Sequence, residues 1–290
     1  ELTKFYGKQK GIENIDLEVN QGEVFGFLGA NGAGKSTTIR TILNFISPTE
    51  GNALVFGLNS VKDSVEIKHR IGYLSGDAEL YENMTGEQLF TYLASFGNHV
   101  DWSYVDELVD KLQAQPKRKI KNLSKGNRQK IALIQAFMHQ PDLLILDEPT
   151  NGLDPLMQQV FYGMIKQMQE NGKTIFLSSH NLNEVQKICD RAAFVREGNL
   201  VAIEDISNFQ SLTYHRYIIE FAQEPKKEQF VKLENVTNIR ITNNTLYCDV
   251  SGSVDTFIKL LSGYEVVALD EEDTSLEDVF LHYYEEEKNA

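Results

Sequence analysis

Residues Gly29 to Thr37 have the types and the spacing of a loop that binds phosphate groups. Their order, Gly-Ala-Asn-Gly-Ala-Gly-Lys-Ser-Thr, fits the pattern G-x-x-x-x-G-K-[ST]. Glycine allows backbone conformations that point successive N–H groups into one concavity, where phosphate oxygens accept hydrogen bonds. Lys35 would then reach the β and γ phosphates of a nucleoside triphosphate, and Ser36 would offer its hydroxyl to Mg²⁺. The loop residues that we predict to bind the nucleotide are Gly29, Asn31, Gly32, Ala33, Gly34, Lys35, Ser36 and Thr37.

Two adjacent carboxylates, Asp147 and Glu148, end a second segment that could do chemistry. The preceding residues 143–146 are aliphatic, as in a strand buried on both faces of a parallel sheet. A carboxylate at the carboxyl end of such a strand faces the crevice where ligands bind, so we expect Asp147 to hold Mg²⁺ through its water shell. Glu148 is then placed to orient or deprotonate a water that attacks the γ-phosphate.

Strands and helices at predictable positions must carry these two segments. Residues 23–28, before the glycine-rich loop, predict a buried strand, and residues 38–43, after it, have the apolar spacing of a helix. Residues 173–179 predict another buried strand with His180 at its carboxyl end, and residues 12–19 alternate like a half-buried strand. This order is typical of an α/β fold whose ligand site lies at the carboxyl edge of the parallel strands.

A third motif, Leu-Ser-Lys-Gly-Asn, occupies residues 123–127 and precedes residues 131–138, which have helical apolar spacing. Ser124 can cap this helix, and Gly126 lets the backbone come close to an anion. Helix capping and anion binding are both consistent with the motif.

The order of these motifs closely resembles that of the ATP-binding subunits of ABC transporters. A phosphate loop, Leu-Ser-x-Gly before a helix, Leu-Asp-Glu-Pro-Thr, Gly-Leu-Asp-Pro and a histidine after a further strand follow one another over about residues 1–205. The resemblance implies a P-loop NTPase core of the ABC type, with an antiparallel β subdomain and a helical subdomain. It also implies that the chain hydrolyses ATP with Mg²⁺ and works with a separate membrane permease, as in bacterial exporters.

In this family the Leu-Ser-x-Gly motif completes the ATP site of the other subunit, so the resemblance implies a head-to-tail dimer around two ATP molecules. Ser124, Gly126 and Asn127 are then predicted to bind the partner's nucleotide. Lys125 and Asn127 stand where the family has glycine and glutamine, and we expect the amide of Asn127 to keep a polar role.

Two more residues take roles from the resemblance. Asp154 would link the two ATP sites across the dimer interface, and it can at the same time cap the helix predicted over residues 156–168. His180 resembles the switch histidine that donates toward the γ-phosphate and senses its presence. The predicted catalytic residues are therefore Glu148 and His180.

Two assignments stay open at the sequence level. Tyr6 is the candidate for stacking on adenine, with Phe5 as the competing aromatic residue and core packing as the alternative role of Tyr6. Family members have a glutamine that contacts Mg²⁺ about where this chain has Gly76. Asp77 could take over a water-mediated metal contact, or it could belong to a plain acidic loop.

We predict an ABC ATP-binding domain over residues 1–206, with its helical subdomain at about residues 76–140, and a small accessory α+β domain over residues 207–290. The strand and helix patterns of the accessory domain follow a ferredoxin-like order. The acidic residues 270–273 predict a solvated loop rather than a metal site, and residues 276–284 predict an amphipathic helix.

The composition restricts the class of protein. In 290 residues, 41% are hydrophobic and 24% charged, which is ordinary for a globular protein. No aliphatic run approaches the roughly 20 residues of a membrane helix. The net charge of -14 argues against a nucleic-acid partner. We therefore expect a cytoplasmic protein held at the inner face of the cell membrane by its permease, as a homodimer or as a heterodimer with a related ATPase subunit.

Other ATPases of this superfamily share the same motifs. A soluble ABC-type ATPase acting in translation or ribosome-associated regulation is the alternative, but it normally carries two cassettes and basic surfaces, whereas this chain has one cassette and is acidic. A chromosome-maintenance ATPase would need a long coiled-coil insertion, and the sequence has no heptad run. A role in transport is therefore the leading interpretation. The accessory domain over residues 207–290 and the missing glutamine favour export over import.

Overall fold

The computed structural model describes most of the chain, namely residues 1–77, 79–97, 100–207 and 214–272. The chain divides into two compact units, Glu1–Asp205 and Ile206–Ala290. Within the described ranges, no helix combines the length and the apolar character needed to cross a membrane. The helix predicted over residues 276–284 lies outside the described residues.

The first unit is an α/β structure in which strands and helices alternate along most of its length. Its strands are β1 Leu2–Tyr6, β2 Gln9–Ile15, β3 Val24–Leu28, β4 Leu54–Val55, β5 Leu58–Asn59, β6 Ile71–Leu74, β7 Leu143–Asp147, β8 Thr174–Ser179, β9 Arg191–Arg196 and β10 Asn199–Asp205. Its helices are α1 Lys35–Ile42, α2 Ser64–His69, α3 Gly86–Ala94, α4 Trp102–Leu112, α5 Lys125–Phe137, α6 Pro155–Glu170 and α7 Leu182–Ile188, with a 3₁₀ turn at Ile120–Asn122.

Eight of these strands form one mixed sheet in the order β1-β2-β10-β9-β3-β8-β7-β6. Strands β9, β3, β8, β7 and β6 run parallel to one another, whereas β1 pairs with β2 and β10 pairs with β9 in antiparallel fashion, and β10 is parallel to β2. In the parallel half, Leu28 at the end of β3 pairs with Ser179, and Asp147 at the end of β7 pairs with Ser178. The carboxyl ends of β3, β8 and β7 therefore lie side by side, at the sheet edge where the sequence predicts a ligand site.

The parallel strands are buried because both of their faces carry apolar side chains. All five residues of β3 are buried, and the rings of Phe25 and Phe176 stack with centroids 5.9 Å apart. The strands predicted at residues 23–28, 143–147 and 173–179 are thus confirmed to within one residue. Such a packed sheet fixes the positions of the loops at its carboxyl edge.

The strand predicted over residues 12–19 is wrong at its carboxyl end, because β2 stops at Ile15. Its antiparallel partner β1 begins at Leu2, which pairs with Ile15, so later residues have no ladder to join. Asn14 also has a φ of 50°, a left-handed conformation that interrupts the alternation of side chains.

The second unit contains a four-stranded antiparallel sheet with two short helices. Its described elements are β11 Tyr214–Phe221, α8 Lys227–Phe230, β12 Val236–Thr242, β13 Thr245–Ser251, α9 Asp255–Leu261 and β14 Val266–Glu272. The sheet order is β12-β13-β11-β14, and Phe221, Phe230 and Phe257 are among the side chains of its core.

Two predictions in this unit need correction. The sequence pattern of residues 225–233 predicts a helix, but the structure has only a single turn there, α8, without a side-chain cap. The solvated loop expected at residues 270–273 is wrong for the first three residues, which belong to β14 and pair with Arg216, Tyr217 and Ile218 of β11. Residue 273 lies outside the described residues.

Candidate active site

The glycine-rich loop joins β3 to α1, as the sequence predicts. Gly34, the residue before α1, has a φ of 109°, and a Cβ there would lie 2.8 Å from a methyl carbon of Ile12, so only glycine fits. Because no side chain caps α1, its first N–H groups are free to meet an anion. Lys35 folds back over the loop, and its Nζ donates to the carbonyl oxygens of Gly29 at 2.6 Å and Ala30 at 3.2 Å.

Both predicted catalytic side chains lie in contact beside this lysine. Glu148 Oε1 is 3.1 Å from Lys35 Nζ, and Glu148 Oε2 is 2.7 Å from His180 Nδ1. The Glu148 backbone has a φ of 49°, and its N–H donates to the carbonyl oxygen of Ser178 at 3.2 Å and to the Ser178 hydroxyl at 3.1 Å. Left-handed backbone is uncommon for glutamate, so these bonds hold the side chain in a conformation aimed at the loop.

Asp147 is buried at the end of β7, with 3% of its surface exposed. Its Oδ1 accepts a short hydrogen bond from the Ser178 hydroxyl, which fixes the carboxylate next to Glu148. A Cβ on Gly76 would lie 3.3 Å from Asp147 Oδ2, so the loop after β6 approaches this oxygen without a side chain. Burial raises the pKa of Tyr73 on β6, and the charge on Asp147 raises it further.

Asp77 lies on the same loop, exposed to solvent. Among the hydrogen bonds and ion pairs of the described residues, none joins it to Asp147 or Ser36, and its carbonyl oxygen accepts from the Ser75 hydroxyl at 3.5 Å. A metal contact of Asp77 through water therefore stays a prediction.

A cleft of about 280 Å³ runs between the glycine-rich loop and the turn from β1 to β2. Its size is close to the lower end of the volumes typical of small-molecule sites. The residues lining it are Tyr6, Gln9, Lys10, Gly11, Asn31, Gly32, Gly34, Lys35, Ser36, Thr37 and Glu148. The cleft thus brings together Tyr6, most of the predicted loop residues and Glu148, one of the two predicted catalytic residues.

Tyr6 is 47% exposed, which does not fit the alternative of core packing. A Cβ on Gly11 would lie 2.9 Å from the ring edge of Tyr6, so Gly11 leaves the space that the ring fills. Gln9 and Lys10, also in this wall, were not predicted. The sequence marks them only weakly, because nothing but their pairing with Tyr6 and Phe5 at the end of β1 places them near the cleft.

The other predicted nucleotide-binding residues do not line this cleft. The Ser124 hydroxyl caps α5 by accepting from Asn127 N at 3.3 Å, and Asp154 Oδ1 caps α6 by accepting from Met157 N at 3.0 Å. Gly126 packs against the turn before α6, where an added Cβ would lie 2.7 Å from the Gly152 carbonyl oxygen. Within one chain, the two loops therefore cap helices and contact each other.

Three buried polar residues support the site and were missed by sequence reasoning. The Ser178 hydroxyl donates to Asp147 Oδ1 and accepts from the backbone N–H of Glu148. Gln129 Nε2 donates to the Pro149 carbonyl oxygen at 2.7 Å, and Glu184 accepts from Ser179 Oγ at 2.6 Å. Ser178 is a polar residue in a largely apolar strand, whereas Gln129 and Glu184 lie among other polar residues of their helices and carry no such signal.

A glycine-rich loop between a parallel strand and a helix, with an Asp-Glu pair at the same sheet edge, defines a P-loop nucleoside triphosphatase. The family model described as ABC transporter matches residues 12–151. The bacitracin transport ATP-binding protein BcrA of Bacillus licheniformis is 37% identical over 241 residues, covering 81% of this chain and 77% of the relative. The BcrA protein of Enterococcus faecalis is 32% identical over 288 residues, covering 96% and 93%.

A solved ATP-binding subunit of an ABC transporter matches with a TM-score of 0.66 and 27% identity, covering 72% of this chain and 89% of that one. The chain therefore belongs to the ABC transporter family of ATP-binding proteins. It is an ATPase with the P-loop fold of that family.

Proposed function

We propose that this chain powers export through a separate membrane permease by hydrolysing ATP at the site between the glycine-rich loop and Glu148. The observation that carries the proposal is the contact of Lys35 and His180 with the two oxygens of Glu148. Two relatives named for bacitracin transport support transport as the role. The chain would then sit at the inner face of the cell membrane, bound to its permease.

The test is ATP-driven transport by the purified chain reconstituted with the membrane protein that co-purifies with it. Substrate should move out of cells, or into inverted vesicles, only when ATP is supplied. Absence of ATP hydrolysis with and without that membrane protein would reject the proposal.

The donor atoms at the sheet edge fit Mg²⁺, because hydroxyl and carboxylate oxygens are the ligands this ion prefers. Ser36 in the cleft and the buried carboxylate of Asp147 would hold it, the latter through water. Mg²⁺ supplies charge that offsets the charge developing on the γ-phosphate. Glu148 would accept the proton of the attacking water, and His180 would donate toward the phosphate.

A head-to-tail dimer, of identical or related subunits, would bring the missing half of each site from a second chain. Ser124 and Gly126 lie outside the cleft of their own chain, although a serine hydroxyl and a helix N-terminus suit phosphate. Asn127 would stand beside them, because its Nδ2 donates to the Ser124 hydroxyl at 3.4 Å. Asp154 would stand at the same interface.

The second unit would be a ferredoxin-like domain that begins near residue 207 and contributes no residue to the ATP site. Its β-α-β-β-α-β element order and its antiparallel sheet order support this assignment.

Replacing Tyr6 with alanine should weaken ATP binding by about 1 to 3 kcal/mol, the range found for losing one base-stacking ring. The dissociation constant of ATP would rise by roughly 5-fold to 150-fold. Fluorescent nucleotide titration measures the change. Phe5→Ala is the matched control, because Phe5 neighbours Tyr6 but does not line the cleft. If Phe5→Ala weakens binding and Tyr6→Ala does not, Tyr6 is not the adenine platform.

The permease would dock on the helical subdomain, where an aromatic row of Tyr81, Tyr92 and Phe96 is exposed. Adjacent ring centroids lie 5.5 Å and 5.1 Å apart, and Phe96 is 59% exposed. Phe96 also lines a groove of about 330 Å³ together with Val65 and Leu93. An exposed apolar patch of this kind is typical of a protein interface.

Phe96→Asp should lower binding to the permease by at least about tenfold, because the interface would bury an unpaired charge. ATP affinity of the isolated chain should stay unchanged. Co-purification with the permease and nucleotide titration measure the two effects. Val231→Asp, at an exposed valine of the second unit, is the control, and equal loss in both variants would contradict docking at the aromatic row.

A further inference from the structure

Glu184 is a buried carboxylate next to the site but outside the residues assigned to it so far. It lies in the first turn of α7 with 2% of its surface exposed. Its Oε2 accepts from Ser179 Oγ at 2.6 Å, while Oε1 accepts no hydrogen bond among the described residues. A buried carboxylate with one oxygen unpartnered is costly to fold, which calls for a role other than packing.

The bond to Ser179 closes the turn that carries His180. The Ser179 hydroxyl donates to Glu184 and also accepts from Asn181 N at 3.0 Å. Asn181 Oδ1 in turn accepts from Asn183 N at 2.9 Å and from Glu184 N at 3.4 Å. Ser179 and Asn181, the two neighbours of His180 in this turn, are therefore both fixed by hydrogen bonds. The Glu184 carboxylate is the last acceptor in this chain of bonds.

Glu184 also faces the segment that carries Glu148. The Thr150 hydroxyl, two residues after Glu148, stabilises the charged form of Glu184, as does Ser179. Burial is the largest effect on the pKa of Glu184 and raises it. The two hydroxyls and His180 lower the pKa, the charge on Glu148 raises it, and the result lies above the usual value of a glutamate. The charge on Glu184, second to burial, helps to raise the pKa of Tyr162 on α6 to about 12. One carboxylate therefore faces the segments following β7 and β8 and the helix α6.

We propose that Glu184 is a positioning residue that holds the His180 turn beside Glu148 through the hydrogen bond that it accepts from the Ser179 hydroxyl. The proposal rests on the proposed roles of Glu148 and His180. These two side chains meet at 2.7 Å, a distance that a small shift of the turn would break. Losing this alignment would slow the chemical step but leave the nucleotide cleft, which Glu184 does not line, unchanged.

Glu184→Ala should lower kcat for ATP by about tenfold to 100-fold, the size expected when a reacting group is displaced by up to about 1 Å. KM should stay within about twofold of wild type. Ser179→Ala removes the partner of the same bond and should lower kcat similarly, and the double variant should be no slower than the slower single one. Glu184→Gln keeps an acceptor for Ser179 and should recover most of kcat.

The His180→Ala background separates positioning from general stability. If Glu184 acts through His180, adding Glu184→Ala to His180→Ala should lower kcat by less than about twofold. Glu23→Gln is the matched control, because Glu23 is also buried but pairs with Arg191 at the opposite end of β3. It should lower the melting temperature without lowering kcat.

Three outcomes would overturn the proposal. The first is a wild-type kcat in folded Glu184→Ala and Ser179→Ala. The second is an equal effect of Glu184→Ala on kcat with and without His180. The third is a rise in KM as the main effect of Glu184→Ala. If Glu184→Ala does not fold, the effect of Ser179→Ala on kcat is compared between chains with His180 and chains with His180→Ala. An equal effect in both would overturn the proposal. Full turnover by Glu148→Gln would instead reject the catalytic role of Glu148, and absence of ATP hydrolysis by the wild-type chain would reject the proposed function itself.

Discussion

Glu148→Gln should keep ATP binding and lose nearly all ATP hydrolysis. The amide preserves the shape of the side chain and can still contact Lys35 or His180, but it cannot accept a proton from water. General base catalysis is worth about 10²-fold to 10⁴-fold, so kcat should fall by that factor. Phosphate release measures turnover, and fluorescent nucleotide titration measures binding. The variant should accumulate as an ATP-bound dimer, which size-exclusion chromatography would detect.

The environment of Glu148 makes this substitution informative. Its side chain is 13% exposed, so few water molecules can replace it as a base. Glu170→Gln, at the exposed end of α6, is a control for loss of one negative charge and should hydrolyse ATP normally. Turnover near the wild-type rate in folded Glu148→Gln, with permease present if it is needed, would remove Glu148 from the catalytic role.

The parts of this site that sequence could predict are those encoded by consecutive residues. The glycine-rich loop is a local motif, and the run before Asp147 is aliphatic enough to be a buried parallel strand. Parallel strands end at one edge of a sheet, so the meeting of Lys35 with Glu148 follows from the motif order once β3 and β7 are placed in the same sheet.

The supporting bonds could not be predicted, because each depends on how the folded elements orient their side chains. Ser178 on β8 forms hydrogen bonds with Asp147 and Glu148 at the end of β7. Ser178 and Asp147 are 31 positions apart in the chain. In the sequence, Glu184 looks like an ordinary glutamate in the first turn of a helix, where the helix dipole stabilises a negative charge. Only the fold shows that its side chain is turned inward to Ser179.

The same reason explains the errors at strand ends. The alternation of residues 12–19 continues past Ile15, but a strand needs a partner, and β1 provides none there. The acidic residues 270–272 have low strand propensity, yet they extend β14 because β11 offers backbone partners along its length. Local pattern sets the existence of an element, and the neighbouring strand sets its length.

Lys35→Ala should remove most of the ATP affinity of its own site. The Lys35 side chain is 6% exposed, and its ammonium is surrounded by two loop carbonyls and Glu148, where a phosphate charge would be poorly screened. Loss of one partner of a buried charge pair costs about 2 to 5 kcal/mol, which is a rise in dissociation constant of about 30-fold or more. Nucleotide titration of the single variant measures this loss.

Mixing Lys35→Ala with Gly126→Asp chains tests whether the site is shared between two chains. Gly126→Asp should keep nucleotide binding to its own glycine-rich loop but place a carboxylate where the partner's triphosphate would lie, and it also crowds the Gly152 carbonyl. A heterodimer of the two variants has one site with both Lys35 and Gly126 intact, whereas each variant alone has no such site. ATP-dependent dimerisation should therefore return on mixing, with hydrolysis above that of either variant.

The matched control is a mixture of Lys35→Ala with Ser36→Ala chains. Both defects lie in the glycine-rich loop, so every dimer formed in that mixture lacks an intact loop in each of its two sites, and activity should not return. Recovery in the first mixture alone can arise only if the loop of one chain works with the Ser124–Asn127 segment of another. Unchanged hydrolysis by wild type at dilutions where no dimer survives would contradict the shared site, and would leave Ser124 and Asp154 as helix caps alone.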